Sequence, residues 1–275
     1  MRSGGRVNRS PVKYPGSKRL ILDKVLRRLG SGKHLVDVFA GSCVVGLNAD
    51  FDTVHFNDLN QDLIAFYKLL KNDSDTFITE LESFFISDNN HADTYYKYRS
   101  EFNEETDSRR RAALLFYLSR HSFNALIRFN SKGHFNAPFG RYKKPYFPES
   151  ELLYFASQCH RFTFSALHYE KMFNDLSNSR VDVCKYCDPP YSPLTETANF
   201  ASYQSNGFGA IEHMKLATLC EQAAMSGQRV VVSNHSTPFT RNLYKNAKQY
   251  RFSAPRTISS STGNRVPAKE LLATY

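Results

Sequence analysis

His34-Leu35-Val36-Asp37-Val38-Phe39-Ala40-Gly41-Ser42-Cys43 is the stretch that decides the fold. Its first six residues form an apolar run that reads as a strand, the next four make a tight turn of small residues, and a helix is expected from Val44. A second strand, Thr53-Val54-His55-Phe56, ends at Asn57-Asp58. Strand, turn, helix and strand in this order are the first half of a nucleotide-binding α/β unit. Small residues at such a turn let a ligand approach the backbone. Asp58 follows Gly41 by 17 residues, where an acid commonly bonds ribose hydroxyls. A tight turn plus an exposed Asp is an equally open reading of these residues alone. One glycine instead of three argues against a pyrophosphate, which Cys43 and Val44 would crowd. A phosphate-free adenosine fits better, S-adenosylmethionine first, with Tyr14 able to cover the adenine and Lys18 in the same pocket.

Reading outward, Lys13-Tyr14-Pro15-Gly16-Ser17-Lys18 is a loop, followed by an amphipathic helix from about Leu20 to Leu29, stopped by Gly30 and Gly32. Helices are expected over Asp62–Leu70 and Ser108–Arg120, with Ser108 as N-cap of the second. Asn124–Phe147, rich in Asn, Gly and Pro, reads as a long loop or hairpin of the kind that carries function. The α/β pattern returns after Tyr154. Strands are expected near Phe162-Thr163-Phe164, over Val181–Cys187 and over Arg229–Asn234, with a helix at Ile211–Met225 stopped by Gly227. The tail, including Ser259-Ser260-Ser261-Thr262-Gly263, should end as a hairpin strand. The chain is therefore read as α/β, interrupted by a basic, mainly helical insert at about 60–145.

The strand ending at Cys187 leads into Asp188-Pro189-Pro190-Tyr191. Ligands of open α/β sheets bind at the carboxyl ends of strands. A carboxylate, two rigid prolines and an aromatic ring at that place are well suited to gripping a planar base by its exocyclic amine and stacking on its face.

Composition supports a nucleic-acid partner. The 275 residues carry a net charge of +10, and hydrophobic content of 41% allows a packed core. Ser108–Pro148 holds no Asp or Glu, yet it holds Arg109, Arg110, Arg111, Arg120, Arg128, Lys132, Arg141, Lys143 and Lys144, interleaved with Phe and Tyr. That mixture suits a phosphate backbone plus bases to stack on; a solvated basic face over an aromatic core is the plainer alternative. Five scattered cysteines fit a reducing cytoplasm. Cys184-x-x-Cys187 has no second CxxC, and strand geometry would turn the two thiols to opposite faces, so no metal site is expected. The basic N-terminus is no signal peptide, and no run approaches the ~18 apolar residues of a membrane span.

Lys13-Tyr14-x-Gly16-x-Lys18, Asp37-x-Phe39-x-Gly41, Asn57-Asp58-Leu59-Asn60 and Asp188-Pro189-Pro190-Tyr191 occur in the order used by DNA adenine methyltransferases of the Dam type. Asn124–Asn130 and Gly133–Pro148 resemble the same family closely. The resemblance runs from about Lys13 to Tyr275. It implies a Rossmann-like seven-stranded sheet with one antiparallel strand, and an inserted helical DNA-recognition domain carrying a β-hairpin. On this basis residues 1–59 and 146–275 are the expected catalytic domain, and 60–145 the target-recognition domain. The implied reaction is methyl transfer from S-adenosylmethionine, leaving S-adenosylhomocysteine, to adenine N6 in double-stranded GATC. A cytoplasmic, nucleoid-associated monomer is expected.

Roles carry over by position. The resemblance assigns the cofactor to Tyr14, Lys18, Asp58 and Asp188, and the turn read above adds Asp37, Phe39 and Gly41. Lys13 matches a contact to the outer guanine, Phe123 an aromatic wedge, and Asn124 a residue that stabilises the opened pairs. Leu126, Arg128 and Pro138 match sequence-reading positions; Arg99, Asn130, Asn136, Arg141, Tyr142 and Lys143 match phosphate or hairpin contacts. Read without the family, Leu126 could be core, Pro138 a turn and Arg128 a phosphate contact. Three residues depart from the pattern: Tyr14 stands for Trp, Phe123 for Tyr and Cys43 for Gly. The expected chemistry has the target amine held by the Asp188 carboxylate and the Pro189 carbonyl, with Tyr191 stacked on the base. The rival readings are a methyltransferase of another site or of cytosine N4, and a catalytically silent DNA-binding module.

Overall fold

A strand covered by helices on both faces reads as a continuous apolar run, and Val183-Cys184-Lys185-Tyr186-Cys187 is buried at all five positions. The exception to apolarity, Lys185, hydrogen-bonds the Gln228 side chain and lies over the Phe173 ring at 5.4 Å. The computed structural model describes residues 7–177, 182–191, 208–255 and 267–275. Val181 and the stretch Ser259–Gly263 lie outside the described residues.

Seven strands form one sheet: β1 (Ser31–Asp37), β2 (Asp50–Asn57), β3 (Phe162–Ser165), β4 (Val183–Cys187), β5 (Arg229–His235), β6 (Lys248–Ala254) and β7 (Ala268–Thr274). Their order is β3-β2-β1-β4-β5-β7-β6. β1 to β5 pair in parallel, and β7 runs antiparallel to both β5 and β6, so it is the single reversed strand. Sheet order changes direction between β1 and β4, and that switch point opens a crevice at the strand ends.

The helices are α1 (Leu22–Leu29), α2 (Val44–Asn48), α3 (Gln61–Asn72), α4 (Ser74–Ser83), α5 (Ala92–Glu104), α6 (Ser108–His121), α7 (Glu149–Gln158), α8 (Tyr169–Ser177), α9 (Ala210–Met225) and α10 (Pro238–Leu243). α1 buries Leu22, Val25 and Leu29, one face of a helix. It ends at Gly30, whose φ of +67° is left-handed; Gly32, expected as a second stop, lies inside β1. A short 3-10 turn, Lys18–Ile21, precedes it. α6 is capped by Asp107, not Ser108: the Asp107 carboxylate accepts from the Arg110 amide at 2.8 Å.

Helices α3 to α7 fill the crossover from β2 to β3, and their apolar faces join the sheet in one continuous core. Tyr67 of α3 stacks on Phe155 of α7 at 5.1 Å and on Phe164 of β3 at 5.8 Å. Phe66 stacks on Phe116 of α6 at 5.1 Å. The sequence reading of Arg109, Arg110 and Arg111 as part of a nucleic-acid face is corrected here. Arg109 pairs with Asp73 and Glu80, Arg110 with Glu101, and Arg111 grips Asp62 with two hydrogen bonds of 2.7 and 2.8 Å. Arg120 donates to the Pro11 carbonyl and is largely buried, which pulls its pKa down to about 10. The reason is supply: the carboxylates absent from this stretch stand on α3, α4 and α5, which pack beside α6. Arg128, Lys132, Arg141, Lys143 and Lys144 remain exposed.

Beyond α6, the chain folds back on itself through two antiparallel bridges, Ser122–Phe139 and Phe129–Phe135, closed by backbone hydrogen bonds from Asn136 to Arg128 and from Asn130 to His134. Among the described residues this region contains bridges rather than full strands. Asn124, Ala125 and Arg141 all have φ near +50°, a left-handed geometry rare for non-glycine residues. All five cysteines are free and buried. Cys184 packs into the core on one face of the sheet and Cys187 into the core on the other, as strand alternation requires.

Candidate active site

The carboxyl end of β1 turns sharply at Gly41, where φ is +47°. A Cβ at Gly41 would stand 3.1 Å from the Tyr14 ring, so glycine lets that ring lie directly on the turn. Three bonds lock the turn. Asp58 Oδ2 accepts the Gly41 amide at 2.9 Å, Tyr67 Oη donates to the Gly41 carbonyl at 2.9 Å, and Asp58 Oδ1 accepts the Asn60 amide at 2.9 Å. Asn57, fully buried, ties the ends of three strands together. It donates to the carbonyls of Val38 and Leu167 and accepts from Ser165 Oγ and the Leu167 amide.

β4 delivers Asp188 beside this turn. Lys18 Nζ lies 2.7 Å from Asp188 Oδ2, donates to the Gly16 carbonyl at 2.7 Å, and sits 4.5 Å above the Tyr191 ring. Among the described residues, Asp188 Oδ1 is buried without a hydrogen-bond partner, and so is Asp37 Oδ1. An unpartnered buried carboxylate oxygen is costly unless a ligand completes it. Tyr191 is framed by His235, whose ring meets it edge-on at 4.7 Å, and by Glu270 of β7, 3.4 Å from its hydroxyl.

Tyr14, Lys18, Asp37, Phe39, Gly41, Asp58 and Asp188–Tyr191 all line one cleft of about 720 Å³, joined by His235 and Glu270. A second cavity of about 430 Å³ adjoins it across Phe39 and Pro190, walled by Asn57, Leu59, Leu167 and Tyr169. Burial raises the pKa of Asp37, Asp58 and Asp188; at Asp37 the neighbouring Asp188 and Asp58 raise it further, and at Asp188 the Lys18 ammonium opposes the rise. Burial also raises Glu270, again opposed by Lys18. Four carboxyl groups against one ammonium make the cleft a seat for a cation. Two groups escaped sequence reasoning. Glu270 lies in a strand with no motif, and Leu167, His168, Tyr169 and Glu212 of the second cavity stand outside every motif. Only the sheet order, with β7 inserted beside β5, reveals Glu270.

The other candidate residues sit on the folded-back segment, on α5 (Arg99) and in the loop before Tyr14. Lys13 is exposed, its Nζ 5.9 Å from the Tyr142 ring. Phe123 is 53% exposed, and Asn124, Arg128, Asn130, Pro138, Arg141 and Lys143 are exposed beside it; Leu126 and Asn136 are half-buried. Arg128 and Asn136 are bonded to each other, and Arg99 and Asn130 are partly occupied by the segment itself. Arg99 donates to the Ala137 carbonyl at 3.3 Å, and Asn130 Oδ1 accepts the amides of Lys132 and His134 at 3.0 Å.

No group of three or more His, Cys, Asp or Glu placed to hold a metal occurs among the described residues, and no described helix is long and apolar enough to cross a membrane.

Comparison with known proteins bears on this site. A family described as D12 class N6 adenine-specific DNA methyltransferase matches residues 14–258. The chain is 41% identical over 269 residues to a protein of Serratia marcescens named DNA adenine methylase, covering 98% of each chain. It is 42% identical over 270 residues to the protein of the same name from Escherichia coli K12, covering 98% of this chain and 95% of that one. A Vibrio cholerae protein of that name is 41% identical over 268 residues, with 97% and 96% covered.

Proposed function

Because the chain belongs to the D12 class of N6 adenine-specific DNA methyltransferases, we propose that it transfers a methyl group from S-adenosylmethionine to the adenine N6 of GATC in double-stranded DNA. The observation that carries this reading is the Asp188 carboxylate. One oxygen is held by Lys18 and the other is buried without a hydrogen-bond partner among the described residues, in the lining of a cleft rich in carboxyl groups.

The residues present fit the donor. A sulfonium and an ammonium are cations, and Asp37, Asp58 and Glu270 surround the space with buried carboxyl groups whose raised pKa a bound cation would lower. The turn offers one glycine, covered by Tyr14, in place of the glycine-rich helix start that seats a pyrophosphate. The adjoining cavity against Phe39 and Leu59 suits the purine, in place of the cover by Tyr14 expected from the sequence, since Tyr14 lines the first cleft and not this cavity; Asp58 is left to accept ribose hydroxyls on its remaining lone pairs. When bound, S-adenosylmethionine supplies an electrophilic methyl group.

The chain's own residues then act on the target. Adenine N6 is a weak nucleophile because its lone pair is delocalised into the ring. Asp188 Oδ1 accepts one amine hydrogen and the Pro189 carbonyl the other, which favours a pyramidal nitrogen whose lone pair faces the donor. The prolines hold that carbonyl in place, Lys18 fixes the carboxylate, and Tyr191 stacks on the base. Catalysis is by positioning and electrostatics. As N6 takes the methyl group, the bond to the donor sulfur would break with its electron pair left on sulfur; Asp188 stabilises the positive charge that develops on N6, whose surplus proton then passes to solvent. A duplex hides the base, so it must flip out at roughly a few kcal/mol. Phe123, exposed at the tip of α6, fills the gap, with Asn124 at the opened pairs. Arg128 reads a guanine, and Leu126 and Pro138 pack on a thymine methyl. Lys13, Arg99, Asn130, Asn136, Arg141, Tyr142 and Lys143 complete the DNA face. In this reading residues 60–145 recognise the target, 1–59 and 146–275 perform transfer, and the enzyme works as a cytoplasmic monomer.

The test is to incubate the protein with methyl-labelled S-adenosylmethionine and duplexes that contain GATC or a permuted site. Label on adenine N6 of GATC alone is the expected result. Label on cytosine or on permuted sites would overturn the specificity assignment, and no label anywhere would overturn the activity.

A further inference from the structure

Arg128 and Asn136 face each other across the folded-back segment, where the Asn136 amide donates to the Arg128 carbonyl at 2.9 Å. Their side chains are joined as well. Arg128 Nε donates to Asn136 Oδ1 at 2.7 Å, and one Nη donates to the Asn136 carbonyl at 3.0 Å. A guanidinium presents four of its five hydrogens as two forks: a side fork of Nε–H with one Nη–H, and an end fork of one hydrogen from each Nη. Asn136 takes the side fork with two acceptors from a single residue. The end fork has no partner among the described residues, and Arg128 is exposed.

We propose that Asn136 is a positioning residue for sequence discrimination, presenting the end fork of Arg128 to guanine O6 and N7. This rests on the reading of Arg128 as a base reader and adds a second residue to that function. A free arginine side chain on an exposed loop loses much rotamer entropy when it docks on a base edge. Bonded to Asn136, it has lost that freedom before DNA arrives, so the wrong base pair meets a fixed, unsatisfied fork. The family resemblance places Asn136 among phosphate or hairpin contacts. A phosphate contact and a positioning role make opposite predictions, because the first uses the amide as donor and the second uses it as acceptor.

The experiment measures kcat/KM on GATC and on duplexes changed at each base pair in turn, with the salt dependence of duplex binding, for Asn136→Ala, Asn136→Asp, Arg128→Ala and the Asn136→Ala/Arg128→Ala pair. In the positioning role, Asn136→Ala lowers discrimination about tenfold at the one base pair that Arg128→Ala also relaxes. Its salt slope is unchanged, and it adds nothing further in the double variant. Asn136→Asp keeps the acceptor oxygens and so keeps the discrimination. A salt slope reduced by about 1 for Asn136→Ala, with Asn136→Asp worse than Ala on every sequence, would mark a phosphate contact and overturn the proposal. Uniform loss for Arg128→Ala would overturn the base-reading assignment itself. If Arg128→Ala relaxes one base pair while Asn136→Ala relaxes none, only the positioning role fails.

Discussion

Lys18 Nζ and Asp188 Oδ2 lie 2.7 Å apart, and the ammonium is the positive charge that holds down the pKa of the buried carboxyl. Burial alone would push that pKa up, so Asp188 depends on Lys18 to be ionised when the target arrives. Lys18→Gln removes the opposing charge, and the Asp188 pKa rises. The acidic limb of the kcat/KM profile therefore moves to higher pH, while the alkaline limb stays. Asp188→Ala abolishes transfer, and duplex binding stays within a few-fold of the parent. Single-turnover rates from pH 5 to 9 check both variants; an unshifted acidic limb for Lys18→Gln would break the argument.

Asp37 raises a question of stability. Its pKa is well above the ordinary carboxylate value because of burial, with Asp188 and Asp58 adding to the rise. A carboxyl group whose pKa is raised on folding binds its proton more tightly in the native state. Between the unfolded and folded values, stability therefore falls as pH rises. Asp37→Asn should melt higher than the parent at pH 7. It should also flatten the decline in melting temperature above pH 4, with methyl transfer impaired. Melting curves across pH decide it, and a lower Tm at pH 7 would contradict the assignment.

Arg111 holds Asp62 with two bonds and the carbonyls of Phe102 and Glu105 with two more. Truncation leaves a partly buried carboxylate and two carbonyls without donors. Arg111→Ala should destabilise the fold by roughly 1–3 kcal/mol in urea unfolding. The salt slope of duplex binding should not change, since this guanidinium faces inward. A reduced slope would return Arg111 to the DNA face.

Phe123 stands 53% exposed, so its truncation removes little packing. Phe123→Ala should leave stability within about 0.5 kcal/mol. Fluorescence from 2-aminopurine at the target position should rise more slowly and to a lower plateau on binding. If extrusion is unaffected, the wedge role goes to another residue.

Much of this site was legible because its motifs stand at strand ends, where strand periodicity itself places them. Asp37, Gly41, Asp58 and Asp188 needed only the rule that ligands collect at carboxyl ends of parallel strands. The basic stretch was harder. Arg109, Arg110 and Arg111 look identical in sequence to arginines that face DNA, and only the packing of α3, α4 and α5 against α6 shows their partners. Asp107 outcompeted Ser108 as a cap because Ser108 is already the first helical residue, one place beyond the cap position. Glu270 was invisible because antiparallel β7, far away in sequence, enters the sheet beside β5. Cys43, with φ of +58°, explains the glycine that the family pattern carries there, since the backbone is left-handed at this point.

The pairing of β1 with β4 brings together His34 and Val183, and with them strands roughly 150 positions apart. Non-local closures of this kind are slow, because the loop entropy is lost before the contacts form. The Lys18–Asp188 contact forms only after that closure, since its two halves arrive on either side of the whole β2–β3 crossover with helices α3 to α7. In refolding, recovery of methyl transfer should therefore trail the return of helical signal, and early-folded chains should bind duplex before they can modify it.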